Sequence, residues 1–223
     1  MKKMPPPAPC SAPAPAAAPR GRPPSITRAR IAEAGVTIGL PHITFTGVAA
    51  ALGVSHMALY KHVPSLAALK QLVAEEIFTR WQLPEVDEQR RQGLRDYLLA
   101  FSSAARAFVR AHPGLTPYVL RRQAATPAML DKIEAHHRHI ARIYDLRPAQ
   151  ARWLLSTVAF HCIAVSDTVY SLACPSAQPD EEPEDLASAA ACAAQQSEME
   201  AELEQGMQAL IVGALALLEE KRD

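Results

Sequence analysis

The chain is short of the residue types on which much familiar chemistry depends. Aromatic residues make up only 5% of its 223 positions, so a core must come from aliphatic side chains and alanine. The four cysteines, Cys10, Cys162, Cys174 and Cys192, form no C-x-x-C pair and no regular spacing. That excludes a zinc ribbon and gives no sign of a disulfide framework, so reduced thiols are expected. Nine glycines are spread thinly, and none falls into a phosphate-cradling loop or a nucleophile elbow. No nucleophile stands beside a base, so no enzyme and no cofactor are expected. The longest apolar stretches, near Trp153–Val165 and Ala209–Leu218, read as too short or too interrupted to span a bilayer. Proline breaks the N-terminal segment, which rules against a signal peptide and leaves a cytoplasmic protein as the expectation. Acid is also missing from one end. Residues 1–70 carry eight Lys or Arg against the single Glu33, although the whole chain sums to zero. A basic end on an acidic body suits a protein that meets a polyanion with one end only.

What is present is helical. Residues 1–24 are rich in proline and alanine without periodicity and read as a disordered arm. The arm ends in Arg20-Gly21-Arg22-Pro23-Pro24, which has the form of a minor-groove ribbon for A·T tracts. A basic linker that attracts phosphate without specificity is the alternative. From there Ser25 or Thr27 can cap a helix carrying Ile31, Ala34 and Ile38, weakened by Gly35 and ended by Gly39 and Pro41. Thr44 can cap a second, with Val48, Ala49 and Leu52 on one face, and Gly53 provides a tight turn. Ser55 can cap a third over His56–Val63, with Leu59 and Val63 inward. Pro64-Ser65 then opens a fourth with the stripe Leu66, Leu69, Val73 and Ile77.

Two short helices joined by a glycine turn make a helix-turn-helix, or a small helical bundle without a ligand. In the first case the outward residues His56, Met57, Ala58, Lys61 and His62 meet the major groove, and Tyr60 reaches a phosphate. The run from Ile43 to Val63 (ITFTGVAAALGVSHMALYKHV) resembles the N-terminal signature of TetR-family transcriptional regulators. The matching features are Thr before the first reading helix, the Val-Ala…Leu-Gly-Val-Ser turn, and Ala-Leu-Tyr-x-His-Val, which is close to tetracycline-repressor-like members. The resemblance covers about residues 25–75. It implies DNA contacts by Arg28, Thr44, Thr46 and Ser55, base contacts by His56, Met57 and Ala58, and backbone contacts by Tyr60, Lys61 and His62. The family commonly has lysine at the start of the fourth helix, where this chain has Leu66 and then Lys70 one turn later. That departure puts one phosphate contact in doubt.

The expected fold is therefore all-α. A three-helix DNA-binding unit over 25–72 precedes a helical ligand-binding and dimerisation domain over 73–223, with about nine helices in all. In the body, helices are expected near 88–111, 115–123, 127–145, 148–173 and 198–221, with a mobile loop at 174–197. Phe101, Phe108, Tyr118, Trp153, Thr157, Phe160 and His161 are candidates for an apolar effector pocket, or else plain core. The last helix carries Leu203, Gly206, Leu210, Gly213 and Leu217 at three-and-four spacing, either as a core face or as one half of a dimer interface. His136-His137-x-His139 invites a metal, but adjacent histidines diverge on a helix and no further ligand completes a set. A solvated histidine face is the expectation there, and no metal. Asp167 stands in an apolar helix, where it would either anchor a cationic ligand or cap a neighbour. The partners implied are operator double-stranded DNA, an unidentified small-molecule effector and a second copy of the chain, with no membrane. A ligand-released repressor is the leading reading. An activator, or an adaptor with a weakened helix-turn-helix, is the alternative.

Overall fold

The computed structural model describes residues 26–86, 92–172 and 186–220, without the side chains of 171, 172 and 186–189. The Arg20–Pro24 string and the possible Ser25 cap lie outside them. Among the described residues there are nine α-helices and no strand. The head comprises α1 (Arg28–Ile38), a 3-10 turn at Leu40–His42, α2 (Phe45–Leu52) and α3 (His56–Leu59). The body comprises α5 (Leu94–Ala111), α6 (Thr116–Leu120), α7 (Pro127–Ile143), α8 (Pro148–Leu172) and α9 (Leu186–Glu220). Between them runs α4 (Leu66–Arg80).

Local chemistry sets the head boundaries. The Thr27 hydroxyl accepts from the Arg30 N–H, Thr44 from Gly47 and Ser65 from Ala68, each satisfying an amide that a helix N-terminus leaves orphaned. Gly53 closes α2 at φ 67°, ψ 33°, a left-handed conformation that costs a side-chain-bearing residue more. Ser55 stands at the N-cap of α3 but makes no side-chain cap bond. The third helix is shorter than expected. It ends at Leu59, and the chain turns through His62, whose N–H and that of Val63 both donate to the Leu59 carbonyl. Pro64 disfavours helical geometry at Val63 and so limits how far the helix can run.

Two apolar clusters organise the chain. Ile31, Leu40, Ile43, Val48, Leu59, Val63, Leu69 and Val73 form the head core, and Ile77, Phe78, Phe108, Leu115 and Met129 continue it into the body. The second cluster lies among α5, α7, α8 and α9, with Leu98, Ile140, Leu154, Leu155, Val158 and Ile211 almost wholly buried. Leu66 does not join the expected α4 stripe and is 42% exposed, because it occupies the first turn beyond the edge of the head core.

In the body, α5 begins after Gly93 rather than near residue 88, α6 is five residues long, and α7 stops at Ile143. The larger correction concerns α9. It begins at Leu186, so much of the segment expected to be loop is helix, while residues 174–185 lie outside the described ones. Alanine dominates 187–194 and is the strongest helix former, which outweighs the nearby prolines and acids. Stretches of α8 (Pro148–Tyr170) and α9 (Ala190–Glu220) are, contrary to expectation, long and apolar enough by composition to cross a bilayer. In the fold their inner faces pack into the body core. The expectation of reduced thiols holds at Cys162, a buried free cysteine, whereas Cys192 is disulfide-bonded.

Gly35 is where α1 and α4 approach most closely. A Cβ there would overlap Val73 Cγ2 and sit 3.5 Å from Ile43 Cδ1. Alanine would gain helix propensity of about 1 kcal/mol, but Val73 is fully buried and cannot retreat. Overpacking of this kind costs about 1–3 kcal/mol, so Gly35→Ala is expected to lower stability. Urea denaturation of the two proteins checks the sign; an unchanged or higher midpoint would show that the helices can part.

Candidate functional site

The head presents a small polar and apolar surface on a stiff support. On α3 and the turn after it, Leu59 and Val63 point inward, while Met57 is 62% and Tyr60 45% exposed. Ser55, His56 and Lys61 are exposed beside them, and Ala58 and His62 are partly buried. The Tyr60 ring stacks on Phe45 with centroids 4.4 Å apart and planes 15° from parallel. This brace fixes the direction of the phenol, and Phe45 was not among the residues singled out from sequence. An aromatic residue at the first position of α2, fifteen residues before an exposed tyrosine, carries no signal until the helices are folded together.

Thr44 and Thr46 flank the start of α2 with their hydroxyl oxygens 3.2 Å apart. Thr44 also accepts from the Gly47 N–H at 2.9 Å, so its own proton is directed outward or to Thr46. A Cβ at Gly47 would lie 3.0 Å from Thr44 Oγ1, so glycine leaves room for this cap. Arg28 plays a part that sequence did not suggest. Its guanidinium donates to the His62 carbonyl at 2.9 Å and ties α1 to the end of the α3 turn.

In the body the candidate pocket residues separate. Phe101 is buried in the body core, and Trp153 packs against that core. Phe108 and Tyr118 belong to the cluster continuous with the head. Thr157 is partly buried. Phe160 and His161 were expected to line the same pocket, but Phe160 is 53% exposed and His161 is also on the surface. They lie on the outer face of α8, opposite the buried Leu155, Val158 and Cys162.

The histidine face is a second correction. His136 is not solvated: it turns inward, with its ring centroid 5.6 Å from Phe101 and its Nε2 3.0 Å from the Tyr97 hydroxyl. Tyr97 in turn reaches the Pro84 carbonyl at 3.4 Å. A tyrosine has one proton, so donation to Pro84 leaves its oxygen to accept from a neutral His136 N–H. Burial, reinforced by His137 and His139, lowers the His136 pKa to about 4. Burial raises that of Tyr97, and Tyr144 beside it adds to the effect. The Tyr144 hydroxyl is buried without a hydrogen-bond partner, 5.9 Å from Tyr97 measured between rings. Asp167 accepts from the hydroxyl of Thr116, the first residue of α6, at 2.9 Å, which favours the structural one of its two expected roles.

No protein-family profile and no curated protein matches this chain. Solved structures do. A TetR variant from Acinetobacter baumannii in complex with minocycline aligns with a TM-score of 0.62 over 86% of this chain and 98% of its own, at 18% identity. The TetR family protein ActR of Streptomyces coelicolor, in complex with actinorhodin, aligns with a TM-score of 0.59 over 89% and 99%, at 20% identity. The chain has the TetR-family fold. In this TetR-like fold α2, its Gly53 turn and α3 form the helix-turn-helix expected from the sequence resemblance.

The last helix of the TetR-like body divides the residues expected on one dimer face. Leu203 is 5% exposed and turns into the chain's own core, and Leu210 packs partly against it. Gly206, Gly213 and Leu217 face outward with Val212 and Ala209. Three-and-four spacing wanders across 35 residues of helix, so a stripe drawn from sequence crosses from the inner face to the outer one.

The depressed His136 pKa has a signed consequence. The unfolded chain binds this proton near pH 6.5 and the folded chain only near pH 4. Its contribution is complete above pH 6.5 and is lost as pH falls toward 4. Thermal unfolding should therefore weaken over that window, and His136→Gln should flatten the slope. Parallel wild-type and variant profiles there would refute the neutral, inward histidine.

Proposed function

We propose that this protein is a transcriptional regulator that binds duplex DNA as a homodimer and is released by a small-molecule effector. The observation that carries the reading is the surface of α2 and α3. Thr44, Thr46, Ser55, His56, Met57, Tyr60 and Lys61 stand exposed around a glycine turn whose inner side is locked by Val48 and Leu59. A recognition helix needs this division, with its N-terminal side chains free to enter the major groove and its apolar side anchored. Met57 and Ala58 suit thymine methyls, and His56 offers hydrogen bonding to a base edge. Tyr60, held by Phe45, and Lys61 suit phosphates.

The basic end supports the same reading, since the 28–70 segment has one acid, Glu33. Dimerisation is supported by the outward apolar surface of α8 and α9, where Phe160, Val212 and Leu217 are about half exposed and Gly206, Ala209 and Gly213 permit close approach. Paired copies place two recognition helices to meet half-sites ~34 Å apart. The neighbours in complex with minocycline and actinorhodin support an effector within the body. Repression rather than activation follows the tendency of the family alone.

Selection of random duplex DNA on the purified protein tests the reading, and a palindrome with half-sites about one turn apart is the expected result. On that site Lys61→Ala should reduce the salt slope of log Kobs by about 0.9, because one phosphate contact releases about one counterion. Tyr60→Phe should weaken all sequences alike, whereas His56→Ala should relax base preference. Exchange of these last two effects would reverse the assigned roles. No enrichment at low or moderate salt would instead favour the adaptor.

Val212→Glu places a charge on the proposed dimer face without touching the monomer core. Sedimentation should show a shift from dimer to monomer, with loss of binding to the palindrome. A variant that remains dimeric would move the interface elsewhere.

A further inference from the structure

One cation from α7 is inserted at the end of α4. Lys132 Nζ lies 2.7 Å from the Thr79 carbonyl oxygen and 3.2 Å from that of Phe78, and it also donates to the Trp81 carbonyl. An ammonium has three protons, so these three oxygens fill its donor capacity. They belong to the last turn and C-cap of α4, where carbonyls lack intrahelical partners and the helix dipole is negative. The surrounding groups leave the end of α4 little freedom. The Phe78 ring lies 5.9 Å from Nζ, and Trp81 stacks on Phe108 of α5 at 4.3 Å and 7°. Burial lowers the lysine pKa, as expected of an ammonium that has exchanged water for carbonyls.

We propose that Lys132 is a positioning residue that ties α7 to the end of α4 and thereby sets how the reading head is held on the body. Its consequence for DNA rests on the function proposed above, but the tie itself does not. The N-terminal half of α4 is built into the head core through Leu69 and Val73, so a change of angle at Phe78–Trp81 carries α2 and α3 with it. One turn beyond Lys132, α7 carries His136 in its bond with Tyr97 of α5. A molecule that enters the Tyr97, His136 and Tyr144 cluster and displaces α7 displaces the three-carbonyl tie as well. A second tie, from Gln71 Nε2 to the Ala124 carbonyl at 3.0 Å, joins α4 to the segment before α7 and acts nearer the head.

Three measurements test this. In wild-type protein, reductive methylation should modify Lys132 far more slowly than the exposed Lys61; equal rates would overturn the tie without any variant. In Lys132→Met, amide hydrogen exchange over residues 76–86 should rise about tenfold while residues 45–63 keep wild-type protection. Wild-type exchange over 76–86 would also overturn it. Affinity of Lys132→Met for the selected palindrome should fall about tenfold, within the range of ordinary coupling energies, and Lys132→Arg should recover most of it. The salt slope should not change, whereas a lost phosphate contact would reduce it by about 0.9. Faster exchange with unaltered DNA affinity would overturn the positioning role. If wild type binds no duplex, the proposed function fails, and methylation and exchange still decide the tie. If Lys132→Met does not fold, the wild-type methylation result decides.

Discussion

The structure depends on α4 being shared by two environments. Its first turns complete the head with Leu69, Val73 and Ala74, and its last turns reach the body with Ile77 and Phe78. Each buried aliphatic or aromatic side chain contributes roughly 1.5–3 kcal/mol, so neither end detaches cheaply. The close approach of α1 at Gly35 presses one side of the rod, and the carbonyl tie from Lys132 holds its end. Head and body therefore meet through a packed element rather than a flexible linker, which is the mechanical condition for a change in one to be felt in the other.

A chain with so few aromatic rings uses them where direction matters. Phe45 aims Tyr60 on the head surface, Trp81 and Phe108 seal the end of α4, and Tyr97 faces Phe101 and His136 in the body. Elsewhere alanine and aliphatic residues fill the space between helices. The ion pairs are of less weight. Arg106 with Glu204 and Arg110 with Glu200, at 3.5 and 3.4 Å, lie near the surface between α5 and α9, where such pairs contribute little.

The head was legible in the sequence because its signals are local. Thr44 caps, Gly53 turns and Leu59 points inward over spans of a few residues, and each of these follows from backbone geometry or one-turn periodicity. The resemblance of Ile43–Val63 to a known signature added the assignment of that unit, and the alignment with solved structures agrees with it at the level of fold. Errors arose where competing local rules had to be weighed. At 186–197 alanine propensity outweighed the influence of the preceding prolines, and at Val63 the following proline limited a helix that periodicity favoured.

The sequence by itself determined that the chain is helical, where its first helices start and stop, and which end is basic. Those properties reside in neighbouring residues and survive any arrangement of the helices. Tertiary structure alone decided that His136 is buried and neutral while Phe160 is exposed, that Leu203 and Leu217 face opposite ways on α9, and that Arg28 and Lys132 bond carbonyls. The physical reason is common to all of these. Which face of a helix is inward, and which distant backbone oxygen a long cation can reach, depends on the placement of other helices up to about fifty residues away in sequence.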